Sequence, residues 1–188
     1  MGLNVCWTGV QGGRKATVLD LLGFEESGEV ADEIGADYAC AGLPNGWLIF
    51  VATGRSFEMD GPLAKVSSDA FAIGCEISET VMVSRARAFE DGAPLWAVLR
   101  DPDKDEQGIV VEGVPPPEFE EISRRLQTEQ AAPGNDDVDY LFDLPIELAV
   151  SVCGYRAGET RGLEWVGLRK KAPTRNRAPL RAPNHYRL

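Results

Sequence analysis

Residues 71–100 carry the clearest alternation of apolar and polar positions in the chain. Phe71, Ile73, Cys75 and Ile77 alternate with Ala72, Gly74, Glu76 and Ser78, the period-two pattern of a half-buried strand. A second run, 81–89, sets Val81, Val83 and Phe89 around Arg85 and Arg87 and ends at Glu90-Asp91-Gly92, a tight-turn signal. A third run, 95–100, reads Leu-Trp-Ala-Val-Leu-Arg. The links leave no room for the crossover that parallel strands need. The three runs therefore predict an antiparallel meander, which the pattern places at the centre of the sheet.

The same reading extends along the chain. Strands are predicted at 3–8, 38–43, 47–53, 109–114 and 163–168. Between the second and third of these, Pro44-Asn45-Gly46 is the strongest hairpin signal in the sequence. Residues 15–22 predict a short helix with Val18, Leu19 and Leu22 on one side and Gly23 as its stop. The acidic stretch 25–37 reads as loop, and 61–68 as one or two helical turns. Pro115-Pro116-Pro117 ends a strand and starts a helix over 117–130, with Glu118, Glu120 and Glu121 at its positive end and Phe119, Ile122 and Leu126 on one face. A last helix begins with Asp143 as candidate N-cap and Pro145 in its first turn. It turns Ile146, Ala149, Val150 and Cys153 inward and stops at Gly154. The fold class is α+β: an antiparallel, meander-rich sheet of about five to eight strands with two or three helices packed on one face.

Charge changes this picture more than composition does. The chain has 188 residues, 30 acids and 19 Lys+Arg, for a formal net charge of −11. The last twenty residues hold seven of the bases and no acid, so residues 1–168 carry 12 bases and a formal −18. The chain divides into a single domain, 1–168, and a basic Pro/Arg-rich tail, 169–188, expected to be disordered or docked. An acidic body repels phosphate backbones and anionic membranes and suits a basic protein partner. The tail supplies at most weak, salt-sensitive binding to nucleic acid, since Tyr186 is its one aromatic residue. No apolar run approaches the ~20 residues of a membrane span, and the N-terminus shows no export signal. Cys6, Cys40, Cys75 and Cys153 lie in apolar runs with no Cys-x-x-Cys pair. They read as free thiols in a reducing compartment, hence a cytoplasmic location.

Candidate chemistry is narrowed mainly by exclusion. The one histidine, His185, sits in the tail, which removes a Ser-His-Asp or Cys-His site and a histidine-based zinc site from the domain. No catalytic residue, metal ligand set or cofactor motif is assigned. Gly12, Gly13, Arg14 and Lys15 form a glycine-rich strand-to-helix turn, a candidate anion-binding site. Its spacing matches neither phosphate-loop pattern. Residues 101–112 resemble a calcium loop but place Glu106 where glycine is required. The candidate polar cluster is Glu76, Arg85 and Arg87, brought together across the first hairpin of the meander. Cross-strand ion pairing is its ordinary explanation.

The runs LPNGWLIFV, DGAPLWAVLRD, GVPPPEF and VDYLFDLPIELAVSVCGY resemble parts of an uncharacterised bacterial family of small acidic proteins, over about residues 3–168. No activity comes with the resemblance. Proteins of this style are suspected immunity or accessory proteins. The expectation is a non-enzymatic acidic protein that binds a basic protein partner. The alternatives are a small-molecule-binding protein or carboxylate-based hydrolase using Glu76, Arg85 and Arg87, and a nucleic-acid-associated accessory protein acting through the tail.

Overall fold

The computed structural model describes residues 2–54, 60–104, 108–134, 138–159 and 162–172. Most of the basic tail, from 173 onward and including His185, lies outside the described residues. The strands are β1 (Asn4–Gln11), β2 (Phe24–Val30), β3 (Tyr38–Gly42), β4 (Trp47–Thr53), β5 (Phe71–Ser78), β6 (Val83–Glu90), β7 (Ala93–Arg100), β8 (Ile109–Gly113) and β9 (Val166–Lys170). The helices are α1 (Lys15–Leu22), α2 (Asp60–Val66), α3 (Glu118–Gln130) and α4 (Asp143–Cys153). All nine strands join one antiparallel sheet in the order β2-β9-β3-β4-β1-β5-β6-β7-β8. The α+β class and the meander β5-β6-β7 are as the sequence predicts.

Two expectations need correcting. The sheet is centred on β1, not on the meander. Six successive residues of β1, Val5–Val10, are buried or line the core, because β1 pairs with β4 on one side and β5 on the other and is covered on both faces. The helices number four rather than two or three, and they are not confined to one face. α3 and α4 cover Trp7, Ile49, Ile73, Cys75 and Val98, as expected. α1 and α2 lie on the opposite face, where Val18, Leu63 and Val66 pack on Cys6, Val10, Leu48, Ala72 and Phe89. Adjacent residues of one strand, such as Val5 and Cys6, therefore meet different helices, as strand alternation requires.

Smaller differences have local causes. Residues 25–30, within the stretch read as loop, join Phe24 in the edge strand β2, which pairs only with β9. It is acidic because a single residue, Phe24, reaches the core, and charge suits an edge. The last strand runs from Val166 to Lys170, past position 168. Arg169 pairs with Glu25 at 2.8 Å, Lys171 pairs with Asp20, and the Lys170 ammonium lies over the Tyr38 ring. Asp143 is the first residue of α4 rather than its cap. The capping carboxylate is Asp139, which accepts from the Phe142 N–H in the 3-10 turn ahead of the helix. Ile146, Ala149 and Cys153 are buried as expected, but Val150 is only half-buried and Leu144 and Leu148 are buried as well, so the inward face of α4 is wider than the one expected.

Turn chemistry behaves as read. Asp91 and Gly92 both take positive φ, 51° and 75°, the two-residue hairpin turn between β6 and β7. The β3–β4 link closes through Gly46 N–H to Leu43 O at 3.0 Å with Gly46 at φ 89°. Asn45 Nδ2 then donates to the Cys153 carbonyl at 2.9 Å, so this hairpin also caps the end of α4.

On the α3/α4 face, β6 presents Ser84, Ala86 and Ala88, all fully buried. Small side chains let α4 come close, and Ser84 Oγ donates to the Phe142 carbonyl at 2.6 Å. Ala86→Leu forces extra volume beneath α4 and costs about 1–3 kcal/mol, read as a lower urea midpoint at unchanged slope.

The chain after α4 is held by a buried pair. Tyr155 Oη donates to Glu33 Oε1 at 2.7 Å, and the Gly158 N–H donates to the same oxygen at 2.8 Å. Burial, reinforced by Glu33, raises the Tyr155 pKa well above its ordinary value. The folded phenol stays neutral where the unfolded one ionises. The stability this confers is therefore fully present below about pH 10 and is lost as pH rises beyond it. Tyr155→Phe destabilises at neutral pH by about 0.5–3 kcal/mol, the range for loss of a buried hydrogen bond, and flattens the alkaline decline. Urea titrations across pH 8–11 check both effects.

Candidate functional site

The register of the sheet assembles the site. On the α1/α2 face, Glu76 of β5 stands opposite Arg85 of β6, Arg85 opposite Leu99 of β7, and Leu99 opposite Val110 of β8. The next row runs Gly74, Arg87, Ala97, Glu112. This alignment depends on an irregularity between Ala88 and Phe89 that shifts the β6–β7 register by one residue. Continued unbroken from the Asp91-Gly92 turn, the pairing would set Arg87 opposite Trp96. The shift instead pairs Trp96 with Ala88 and turns it to the core, where it is buried. It leaves Ala97 and Leu99 on the same face as the arginines.

α2 packs on β5 and β6, and beyond it the sheet face forms a cavity of about 650 Å³. Arg85 and Arg87 stand on one bank, with Asp60 and Ala64 of α2 as a wall. Phe89, Ala97, Leu99 and Val110 make an apolar floor, and Glu112 of the edge strand β8 stands on the far bank. Arg87 is only 9% exposed, and its guanidinium is paired with Asp60. The residue opposite it on β5 is Gly74, so its anionic partner comes from α2 rather than from the neighbouring strand. Arg85 is half-buried. Among the described residues the arginine ion pairs of this half of the sheet are Arg87 with Asp60 and Arg100 with Asp139, and Arg85 has none.

Of the three cluster residues named from sequence, Arg85 and Arg87 therefore border the cavity. Glu76 is the immediate cross-strand neighbour of Arg85 but no ion pair joins them among the described residues, and Glu76 lies outside the cavity lining. Sequence reasoning missed Asp60 and Glu112. Asp60 arrives from a helix distant in sequence. Glu112 follows from counting strand partners across β6, β7 and β8, once the one-residue shift is known.

The glycine-rich turn is occupied by the protein's own contacts. Gly12, at φ 68°, donates its N–H to the Gly46 carbonyl at 3.2 Å. The Lys15 ammonium lies 2.5 Å from Glu26, whose hydrogen bond raises its pKa. Arg14 occupies the N-cap position of α1 without a side-chain cap bond. At Gly13 a Cβ would sit 2.8 Å from Val18 Cγ2, so the glycine allows α1 to fold back onto β1. The turn lies on other elements than the cavity, and the structure does not bring the two candidate sites together.

The cavity is suited to binding more than to covalent chemistry. Among the described residues its lining has no Ser, Thr, Cys, His, Lys or Tyr, and its only carboxyl groups are Asp60 and Glu112. The four cysteines are free and buried. Burial pushes the Cys40 and Cys153 thiols up to about 11 and raises Cys75 as well, which keeps them protonated and unreactive at neutral pH. Among the described residues no three His, Cys, Asp or Glu side chains gather as a metal site would. Among the described residues no helix is long and apolar enough to cross a membrane.

Comparison with family models, with curated proteins and with solved structures finds no match to this chain. The class that fold and site define is thus an open nine-stranded antiparallel sheet, with helices on both faces and a two-banked cavity where the helical cover ends.

Proposed function

We propose that this is a non-enzymatic ligand-binding protein that takes a small anionic molecule with an apolar body in the cavity over β6, β7 and β8. The observation that carries this reading is Arg85: a half-buried arginine, without an ion pair among the described residues, beside a floor of Leu99, Ala97 and Val110. A guanidinium is always charged and offers a planar fork of donors that matches a carboxylate or phosphate. Partly removed from water and unpaired, it is stabilised by an anion from outside the chain. The cavity also lies within the usual size range of small-molecule sites. Octanoate is a suitable probe, with its carboxylate at Arg85 and its chain on the apolar floor. Arg85→Met weakens octanoate binding about 10- to 100-fold in calorimetric titration, as loss of a charged hydrogen bond predicts. Arg124→Met, on the exposed side of α3, leaves it unchanged. Equal binding by wild type and Arg85→Met overturns the proposal.

A second reading, of a basic protein partner at an acidic surface, is favoured by the start of α3. Glu118, Glu120 and Glu121 are exposed there and make no ion pair among the described residues, and Val114 just before them is 84% exposed. A partner recovered at low salt through this surface is lost on the triple change Glu118→Lys, Glu120→Lys, Glu121→Lys. Recovery of that partner unaffected by the change removes the reading. The nucleic-acid alternative draws no support from the described part of the tail, where Arg169, Lys170 and Lys171 are engaged with Glu25, Tyr38 and Asp20 of the same chain.

A further inference from the structure

We infer that the ligand of this cavity is bipolar: an anionic group and an ammonium joined by an apolar spacer, as in an ω-amino acid. The inference rests on the anion-binding reading above and adds the opposite bank to it. Four charged side chains border the cavity: Asp60, Arg85, Arg87 and Glu112. Arg87 and Asp60 are paired with one another, and the other cation and the other anion have no ion pair among the described residues. The cation is Arg85. The anion is Glu112, which is exposed and has no ion pair among the described residues.

These two groups are held apart by the sheet itself. β6 and β8 are separated by β7, so their backbones lie on the order of 10 Å apart at two strand spacings. Leu99 and Ala97 project between them from the same face. A purely anionic ligand long enough to cross that floor ends beside a carboxylate. An ammonium at that end removes the repulsion and gains an ion pair. A short ω-amino acid reaches one bank only.

The test compares matched ligands on the intact protein. 8-Aminooctanoate binds about three- to fivefold more tightly than octanoate, the advantage of one exposed ion pair. Glu112→Gln abolishes that preference while leaving octanoate binding no weaker. 4-Aminobutanoate shows no preference over butanoate, since it cannot span the floor. Octanoate bound as tightly as 8-aminooctanoate overturns the bipolar ligand and leaves the anion site standing. Binding of neither by the wild-type protein overturns both. A preference that survives Glu112→Gln also overturns the inference, because the ammonium is then read by another group.

Discussion

The burial of β1 on both faces is the constraint from which the rest of this structure follows. A central antiparallel strand with Val5 and Trp7 on one side and Cys6 and Val10 on the other needs cover above and below the sheet. The chain supplies that cover unevenly. α3 and α4, of 13 and 11 residues, cap one face, and α4 reaches across β5, β6 and β7. α1 and α2, of eight and seven residues, cap the other. A helix rises about 1.5 Å per residue and strands lie ~4.8 Å apart, so two such short helices cannot roof a nine-stranded sheet. They cover the sheet from its β2 end, where Leu19 packs with Phe24, Tyr38 and Leu168, as far as β6, and the sheet face beyond α2 is left to side chains. The cavity is thus the place where helical cover ends.

What the chain puts there is not ordinary surface. An uncovered sheet face in water normally alternates to polar residues. Here β7 and β8 keep Ala97, Leu99 and Val110 on that face, and β6 sets Arg85 and Arg87 beside them. The opposite face of the same strands is filled conventionally, with Ala86, Ala88, Trp96 and Val98 under α4. The one-residue register shift between Ala88 and Phe89 makes the two faces compatible, since it sends Trp96 to the core and keeps Arg87 out of it. Local backbone irregularity and site composition are therefore linked in one hairpin.

Much of the fold was legible because its signals are local. Gly23 and Gly154 end α1 and α4 in the left-handed conformation, at φ 79° and 78°, and Asp91-Gly92 and Asn45-Gly46 turn where their backbone preferences predict. The face of α3 bearing Phe119, Ile122 and Leu126 meets the core. What was illegible is non-local. β1 reads as an ordinary first strand until β4 and β5 are known to flank it. β2 looks like acidic loop because an edge strand gains its order from one neighbour and displays its charges to solvent. The site was half-legible for the same reason. Hairpin pairing brings Glu76, Arg85 and Arg87 near one another from sequence. It does not reveal that Asp60 of α2 takes Arg87, that Glu76 falls outside the cavity, or that Glu112 arrives two strands away.

The division of labour between the two arginines follows from burial. Arg87 is the deeper, and a buried cation left unpaired is expensive, so it carries its own carboxylate within the fold. That pairing also fixes the start of α2 against β6 and so shapes the wall of the cavity. Arg85 is shallower, where water partly offsets an empty guanidinium, and the fold tolerates it without a partner. On the proposed reading, a ligand anion entering there displaces water rather than an internal ion pair, and the apolar floor adds about 25 cal/mol per Å² of surface it covers. Such a site favours modest affinity set by two contributions of similar size, one charged and one apolar. Neither suffices alone: a bare inorganic anion lacks the floor, and a neutral apolar molecule leaves Arg85 less hydrated and still unpaired.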